Sequence, residues 1–140
     1  MNTEILVIDG QGGQLGSQIV KELLAKFSDI QITAVGTNAV ATASMMKAGA
    51  SKAATGENPV IGACRKADII IGPIGIVIAD ALMGEVTPAM AAAVGRSDAA
   101  RILIPMNKCE NMVAGVSNLS TAVLIQDAVS KVGRYISKNC

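Results

Sequence analysis

The chain has 140 residues, of which 51% are hydrophobic and 16% are charged, and its formal net charge is +1. This length is enough for one domain with its own core, and the scattered Lys and Arg, with one Tyr and one Phe, exclude the basic and aromatic surfaces that bind nucleic acid. The absence of histidine excludes a Ser–His or Cys–His triad and an ordinary catalytic zinc site.

The first predicted strand, Ile5 to Ile8, leads into the glycine-rich sequence "DGQGGQLG". Leu15, Ile19, Leu23 and Phe27 then recur every four residues, which predicts the apolar face of a helix. A glycine loop between a strand and a helix is the context in which nucleotide phosphates bind. This loop is therefore the first candidate for a binding site.

The glycines of the loop have an informative spacing. Gly10, Gly13 and Gly16 follow the pattern GxxGxxG, whereas Leu15 stands where a strict G-x-G-x-x-G would need glycine. The spacing resembles that of some nicotinamide-dependent reductases, including dihydrodipicolinate reductases and extended short-chain dehydrogenases. Free N–H groups at the helix start would attract a pyrophosphate; alternatively, the glycines only permit positive φ and close packing. The predicted cofactor-binding residues here are Gly10, Gln11, Gly12, Gly13, Gln14, Leu15 and Gly16.

A second strand is predicted at Ile30 to Val35, followed by a helix that runs to Lys47 or Ala48 and stops at Gly49. The end of this strand argues against a dinucleotide, because a ribose-binding Asp or Glu is expected there. The chain has "VGTN" instead, with no Arg for a 2′-phosphate. Thr37 and Asn38 are candidates either for a hydrogen bond to ribose or for capping the helix.

The next elements are short. Lys52 to Ala54 is a predicted third strand, and Asn58 with Pro59 predicts a helix start, with the cap at Asn58 and the helix end near Ala67. Ile69 to Ile71 is so apolar that we predict a central fourth strand.

The sequence "IGPIGIVIADALMGE" follows the fourth strand and places Gly72, Pro73 and Gly75 at the predicted crevice. These three are further candidate cofactor contacts; the alternative is a rigid turn into an apolar helix that packs in a dimer. Thr87 followed by Pro88 predicts the start of a helix that runs through Val94.

Arg101 to Ile104 is the fifth predicted strand, and "PMNKCEN" after it brings further polar residues to the same edge. Asn107 is a candidate cofactor contact. Lys108 is a candidate for a phosphate contact, and the alternative is a solvated lysine. Cys109 is a candidate thiolate, and the alternative is an inert buried cysteine. Asp9, just before the glycine loop, and Glu57 with Asn58 complete this polar set.

The alternation of strands and helices predicts an α/β fold: a single three-layer, doubly wound, Rossmann-like domain over residues 1–140, with a mostly parallel sheet of five or six strands. Met112 to Val116 would be the sixth strand, and the last helix is predicted from about Ser120 to Ile136. The glycine loop favours the strand order 3-2-1-4-5, while the order 2-1-3-4-5 stays open.

Five blocks of the sequence resemble an uncharacterised family of small bacterial proteins known as a domain of unknown function. They are "IDGQGGQLG", "GTNAVATASMMKAGA", "ATGEN", "ADIIIGPIGIVIADALMGEVTPAMA" and "ILIPMNKC". The resemblance extends from Ile5 to about Cys109. It implies a compact Rossmann-like domain standing alone in the cytoplasm, and it implies no activity.

We therefore expect a nucleotide-binding protein that takes NAD, NADP or an adenine nucleotide over Gly10 to Gly16, in a sensor or cofactor-holding role. The alternative is a non-enzymatic oligomeric scaffold that binds no nucleotide, and a third option is a small reductase completed across a dimer by Lys108 or Asp80. Whether the protein is an enzyme stays open, with no catalytic residue assigned and no metal expected.

Location and assembly follow from composition. The longest apolar run, Ile69 to Ala79, contains Pro73 and is too short to span a bilayer. Three unclustered cysteines suit a reducing cytoplasm. Because a charged fraction of 16% leaves little charge to cover a monomer, we expect a homo-oligomer, most simply a homodimer.

Overall fold

The computed structural model describes residues 2–106 and 111–139. Within them, strands and helices alternate along the chain. The strands are β1 (Thr3–Asp9), β2 (Ile30–Gly36), β3 (Lys52–Thr55), β4 (Ile69–Pro73) and β5 (Ala100–Ile104). The helices are α1 (Gln14–Lys26), α2 (Ala39–Lys47), α3 (Glu57–Cys64), α4 (Pro88–Arg96) and α5 (Thr121–Asn139), and a 3-10 helix, Ile74–Val77, follows β4.

The five strands form one parallel sheet in the order β3-β2-β1-β4-β5. This confirms the predicted order 3-2-1-4-5. Strand β1 is central, and its Val7 aligns with Ala34 of β2 on one side and Ile71 of β4 on the other. Because all the strands run the same way, their carboxyl ends meet at one edge of the sheet, where folds of this kind bind ligands.

The core lies on both faces of the sheet. Successive residues of a strand point to opposite faces, so β1 sends Ile5 and Val7 to one face and Leu6 and Ile8 to the other. The first face is covered by residues of α1, α2 and α5, and the second by residues of α3 and α4. The result is the predicted three-layer Rossmann-like architecture.

The start of α3 differs from the prediction. The helix begins at Glu57 with Gly56 as its N-cap, so Asn58 and Pro59 lie inside the first turn. Gly56 has φ +106, a conformation that L side chains rarely adopt, and this turn sets the helix start. Pro59 is tolerated because the first N–H groups of a helix have no intrahelical partner. The helix ends at Cys64, earlier than the predicted Ala67.

The sixth strand predicted at residues 112–116 is wrong. This segment forms a turn in which Gly115 has φ +81 and Val116 N–H donates to the Val113 carbonyl at 3.3 Å. Its left-handed glycine interrupts the extended backbone that a strand requires. The apolar helix considered after Pro73 is also wrong, because the chain forms the 3-10 helix and then a series of turns.

Candidate functional site

The glycine loop connects β1 to α1 at the carboxyl edge of the sheet. Gly13 is the N-cap of α1 and has φ +74. A Cβ on Gly13 would lie 2.7 Å from the Cα of Ala41 in α2, and one on Gly16 would lie 2.5 Å from the Sδ of Met45. Gly13 therefore allows the backbones of α1 and α2 to pack closely, and Gly16 leaves room for the side chain of Met45.

The other two glycines of the loop differ from each other. A Cβ on Gly10 would lie 2.5 Å from the Oγ1 of Thr37, so this position is also closely packed. A Cβ on Gly12 would meet none of the described atoms within 4 Å. Packing therefore accounts for all three glycines of the GxxGxxG pattern, and Gly12 alone faces open space.

Asp9 holds the two ends of the loop together. Its Oδ1 accepts a hydrogen bond from Gly10 N–H at 2.8 Å, and its Oδ2 accepts one from Gly16 N–H at 2.7 Å. The residue is only 6% exposed. Burial raises the pKa of the Asp9 carboxyl, although the two amide hydrogen bonds oppose this shift and the charge of Glu85 adds to it. Asp9 thus serves as an internal acceptor for the loop.

Glu85 lies at the end of β2, although it comes from the segment before α4. Its Oε1 accepts hydrogen bonds from Gln11 N–H at 2.9 Å, Thr37 Oγ1 at 2.6 Å and Asn38 Nδ2 at 2.9 Å. Partial burial raises the pKa of Glu85, but these three hydrogen bonds together outweigh burial and lower it. The structure thus brings an anionic carboxylate to the strand end where the sequence has none.

Asn38 connects three parts of the site. Its Oδ1 accepts a hydrogen bond from Ala41 N–H at 2.9 Å, which caps α2. Its Nδ2 donates both to Glu85 and to the carbonyl of Gln11 at 2.9 Å. The capping role proposed for Asn38 is therefore confirmed, whereas the hydroxyl of Thr37 donates to Glu85 and caps no helix.

Some amides of the loop have no acceptor. Among the described residues, none accepts a hydrogen bond from the backbone N–H groups of Gly12, Gln14 and Leu15. Gly12 and Gln14 are exposed, and Leu15 is partly buried. These groups lie just before and within the first turn of α1, where helix N–H groups carry partial positive charge.

The connection after β4 packs against the glycine loop. A Cβ on Gly72 would overlap the carbonyl oxygen of Ile8, so Gly72 allows β4 to lie close to β1. Pro73 is buried, and Gly75 packs near Ala81. A Cβ on Gly10 would lie 2.9 Å from the Cδ1 of Leu82. This connection therefore lies over the loop and delivers Glu85 to it.

We call residues 78–86 the crossing turn. Its backbone is unusual because the non-glycine residues Asp80, Leu82 and Met83 all have positive φ, between 56° and 66°. Hydrogen bonds from Asp80 N–H to the Val86 carbonyl at 2.7 Å and from Val86 N–H to the Ala81 carbonyl at 3.1 Å close the turn. Left-handed backbone at such residues costs roughly 1–3 kcal/mol each and is often found at functional sites.

Other candidate features lie elsewhere. A cavity of about 630 Å³ lies between α3 and strands β1, β2 and β3, and its lining includes Glu4, Lys52, Asn58 and Arg65 but no residue of the glycine loop. The candidates Asn107, Lys108 and Cys109 lie outside the described residues. Over residues 2–106 and 111–139, no cluster of acidic or cysteine side chains could hold a metal ion. In the same part of the chain, no helix has the length and apolar character needed to cross a membrane.

Comparison with known proteins gives one family match. The family model described as "Domain of unknown function (DUF3842)" matches residues 4–137. This confirms the resemblance inferred from the sequence blocks. No curated protein sequence matches the chain significantly.

Three solved structures are similar at low identity. The apo saccharopine dehydrogenase (L-Glu forming) from Saccharomyces cerevisiae is 17% identical, with a TM-score of 0.48 over 94% of this chain and 24% of that chain. A nucleoside-diphosphate-sugar epimerase from Pseudomonas aeruginosa is 12% identical, with a TM-score of 0.47 over 99% and 49%. A dodecameric FMN-dependent UbiX-like decarboxylase from Escherichia coli is 18% identical, with a TM-score of 0.45 over 94% and 76%. The chain thus spans about a quarter of the first protein and half of the second.

Proposed function

The chain belongs to the family described as "Domain of unknown function (DUF3842)", and we propose that it binds a nucleotide, NAD(P) or an adenine nucleotide, at the start of α1. The observation that carries the proposal is the group of backbone amides at Gly12, Gln14 and Leu15, which have no acceptor among the described residues. The ligand's phosphates would accept hydrogen bonds from these groups.

Two physical arguments support this location. A helix N-terminus combines unused N–H donors with the positive end of the helix dipole and so favours an anion. The loop also lies where the strand order reverses, because the chain proceeds from β1 outward to β3 and then returns to β4 beside β1. In open parallel sheets, ligands bind in the crevice at this reversal.

The side chains favour binding over catalysis. The chain has no histidine, and burial raises the pKa of the Cys64 thiol to about 11, so this cysteine is a poor nucleophile at neutral pH. The described part of the site offers the carboxylates of Asp9 and Glu85, and both accept hydrogen bonds from the protein's own amides. A sensor or a cofactor-holding subunit suits this set better than a complete dehydrogenase.

A scaffold without nucleotide is the second candidate function. It is favoured by the close packing around Gly10, Gly13 and Gly16, which explains these glycines without a ligand. It is also favoured by the two carboxylates beside the loop, since they would repel a phosphate. Binding measurements can separate this candidate from the first.

The test is thermal shift and calorimetry with NAD, NADP, ATP and FMN. We expect at least one of NAD, NADP and ATP to stabilise the fold, by about 2.7 kcal/mol at a hundredfold excess over its dissociation constant. Gly12→Glu should abolish this stabilisation, because position 12 is open and the new carboxylate would face the free amides. Gly95→Glu is the matched control, since Gly95 in α4 is also open. The scaffold is favoured if none of the four ligands stabilises the wild type.

A further inference from the structure

We propose that Glu85 supplies the carboxylate that accepts the ribose hydroxyls of the nucleotide, and that it makes the site select NAD over NADP. This inference rests on the proposed function. The sequence lacks an acidic residue at the end of β2, and the structure provides one from a different segment of the chain.

The position of Glu85 carries the argument. Dinucleotide-binding folds hold the adenosine ribose between the glycine loop and an acidic residue at the end of β2. Glu85 contacts both of these places, since its Oε1 accepts from Gln11 N–H in the loop and from Thr37 directly after β2. In the usual arrangement, the end of β2 supplies the acidic residue itself. Here Thr37 and Asn38, directly after β2, supply hydrogen-bond donors that hold the carboxylate of Glu85.

The two oxygens of the carboxylate are not equivalent. Oε1 accepts all three hydrogen bonds, from Gln11, Thr37 and Asn38, whereas no described residue donates to Oε2. The side chain is only partly buried. Oε1 therefore fixes the orientation of the carboxylate, and Oε2 stays available to a hydroxyl donor from a ligand.

The chemistry of a carboxylate sets the selectivity. An ionised carboxylate is an acceptor only, so it complements the 2′- and 3′-hydroxyls of a free ribose. NADP replaces the 2′-hydroxyl with a phosphate, which cannot donate there and carries negative charge. We found no Arg or Lys among the hydrogen-bond partners of Glu85, Thr37 and Asn38 in the described residues. Among the described residues, these three side chains therefore have no basic partner that would neutralise a 2′-phosphate.

The crossing turn explains how Glu85 reaches this place. Its positive-φ residues Asp80, Leu82 and Met83 reverse the chain after the 3-10 helix, and Leu82 packs over Gly10. Such backbone is unfavourable for these residue types and persists only where the surroundings enforce it. The three hydrogen bonds to Glu85 help to hold the crossing turn in this conformation.

The experiment is calorimetric titration of wild type, Glu85→Gln and the control Glu22→Gln with NAD and NADP. Glu22 lies on α1 and accepts from Gln126 at 3.0 Å, so its replacement removes a comparable charge outside the site. We expect wild type and Glu22→Gln to bind NAD at least about tenfold more tightly than NADP. Glu85→Gln should weaken NAD binding by roughly tenfold or more, because hydrogen bonds to a charged acceptor are lost, and should bring the two affinities close together.

The outcomes separate the two proposals. Equal binding of NAD and NADP by wild type, unchanged in Glu85→Gln, would remove the role of Glu85 and leave nucleotide binding intact. Tighter NAD binding by Glu85→Gln would show that the carboxylate competes with the ligand, which overturns the inference in another way. Failure of wild type to bind either dinucleotide overturns the inference, and failure with ATP as well overturns the proposed function.

Discussion

Asp9 and Glu85 are neighbouring carboxylates in opposite electrostatic environments. Asp9 is almost fully buried, and the loss of hydration raises its pKa despite two amide hydrogen bonds. Glu85 is more accessible, and its three donors lower its pKa despite partial desolvation. Of the two carboxyls beside the glycine loop, the fold thus opposes the ionisation of Asp9 and favours that of Glu85.

This contrast gives a prediction for the pH dependence of stability. The folded pKa of Glu85 lies below its ordinary value of 4.5, so Glu85 stabilises the fold above pH 4.5 and loses this contribution as the pH falls through the folded pKa. Asp9 has the opposite sign: its contribution is present below pH 3.8 and is lost as the pH rises through its raised folded pKa. Urea unfolding of wild type and Glu85→Gln isolates the first effect.

We expect the difference in unfolding free energy between wild type and Glu85→Gln to be constant near neutral pH and to shrink below pH 4.5. The part of the Asp9 contribution that comes from burial is present in both proteins and cancels, whereas the smaller part that comes from the charge of Glu85 is lost in Glu85→Gln. A difference that stays constant down to pH 3 would contradict the assigned environment of Glu85. Glu22→Gln serves again as the control, because among the described residues the Glu22 carboxylate accepts one side-chain hydrogen bond, from Gln126 at the surface.

The role of Glu85 could not be predicted from the sequence. Its partners Thr37 and Gln11 are far from it along the chain, and no local pattern links them. Thr37 and Asn38 were recognised as site candidates because they directly follow a strand, which is a local signal. The sequence therefore indicates that Thr37 and Asn38 lie at the sheet edge. Only the folded crossing turn shows that they donate hydrogen bonds to Glu85.

The β1–α1 connection contains two neighbouring glycines, Gly12 and Gly13, whose backbone conformation and packing differ. Gly13 needs its left-handed conformation and its close approach to Ala41, whereas Gly12 needs neither. The sequence predicts both as cofactor-binding residues and does not show this difference. Replacement of each glycine by alanine should therefore change the free energy of unfolding by different amounts.

We expect Gly13→Ala to destabilise the fold by at least about 1–2 kcal/mol, because the left-handed conformation alone costs an L residue that much. Its Cβ would also lie 2.7 Å from the Cα of Ala41. Gly12→Ala should change stability by no more than about 0.5 kcal/mol, as at other open surface positions. Equal effects in urea unfolding would contradict the described turn. The comparison also shows why Gly12, and not Gly13, is the position for testing ligand binding.

Most elements could be predicted because their signals are local. Apolar runs predict β1, β2, β4 and β5, and Thr87 with Pro88 predicts the start of α4, where the Thr87 side chain accepts from Met90 N–H. The predictions were wrong where the φ angle of a glycine determines where an element starts or whether a strand forms. Gly56 starts α3 through its positive φ, and Gly115 turns the segment after β5 that was predicted as a strand. A glycine in a sequence does not reveal whether its φ will be positive.

The position of the exposed apolar side chains indicates where two copies of the chain could associate. Four large hydrophobic residues between β5 and the first turn of α5 are exposed by 40% to 93%. They are Met112, Val116, Leu119 and Val123. These four residues lie within twelve positions along the chain, and a contiguous exposed apolar surface commonly marks an interaction site. The homo-oligomer expected from the composition stays a prediction, and this stretch is where we expect its interface.

The prediction is tested by light scattering coupled to size-exclusion chromatography at micromolar concentration. We expect wild type to have the mass of two chains, since a two-fold dimer is the simplest closed assembly. Leu119→Lys combined with Val123→Lys should give the mass of one chain, because two buried charges would oppose the interface. Both side chains are about half exposed in the single chain, so the double variant should keep its fold. Val40→Lys is the control, because Val40 is 64% exposed on α2, away from this stretch. A single-chain mass for wild type would contradict dimer formation, and a dimeric double variant would place the interface on another surface.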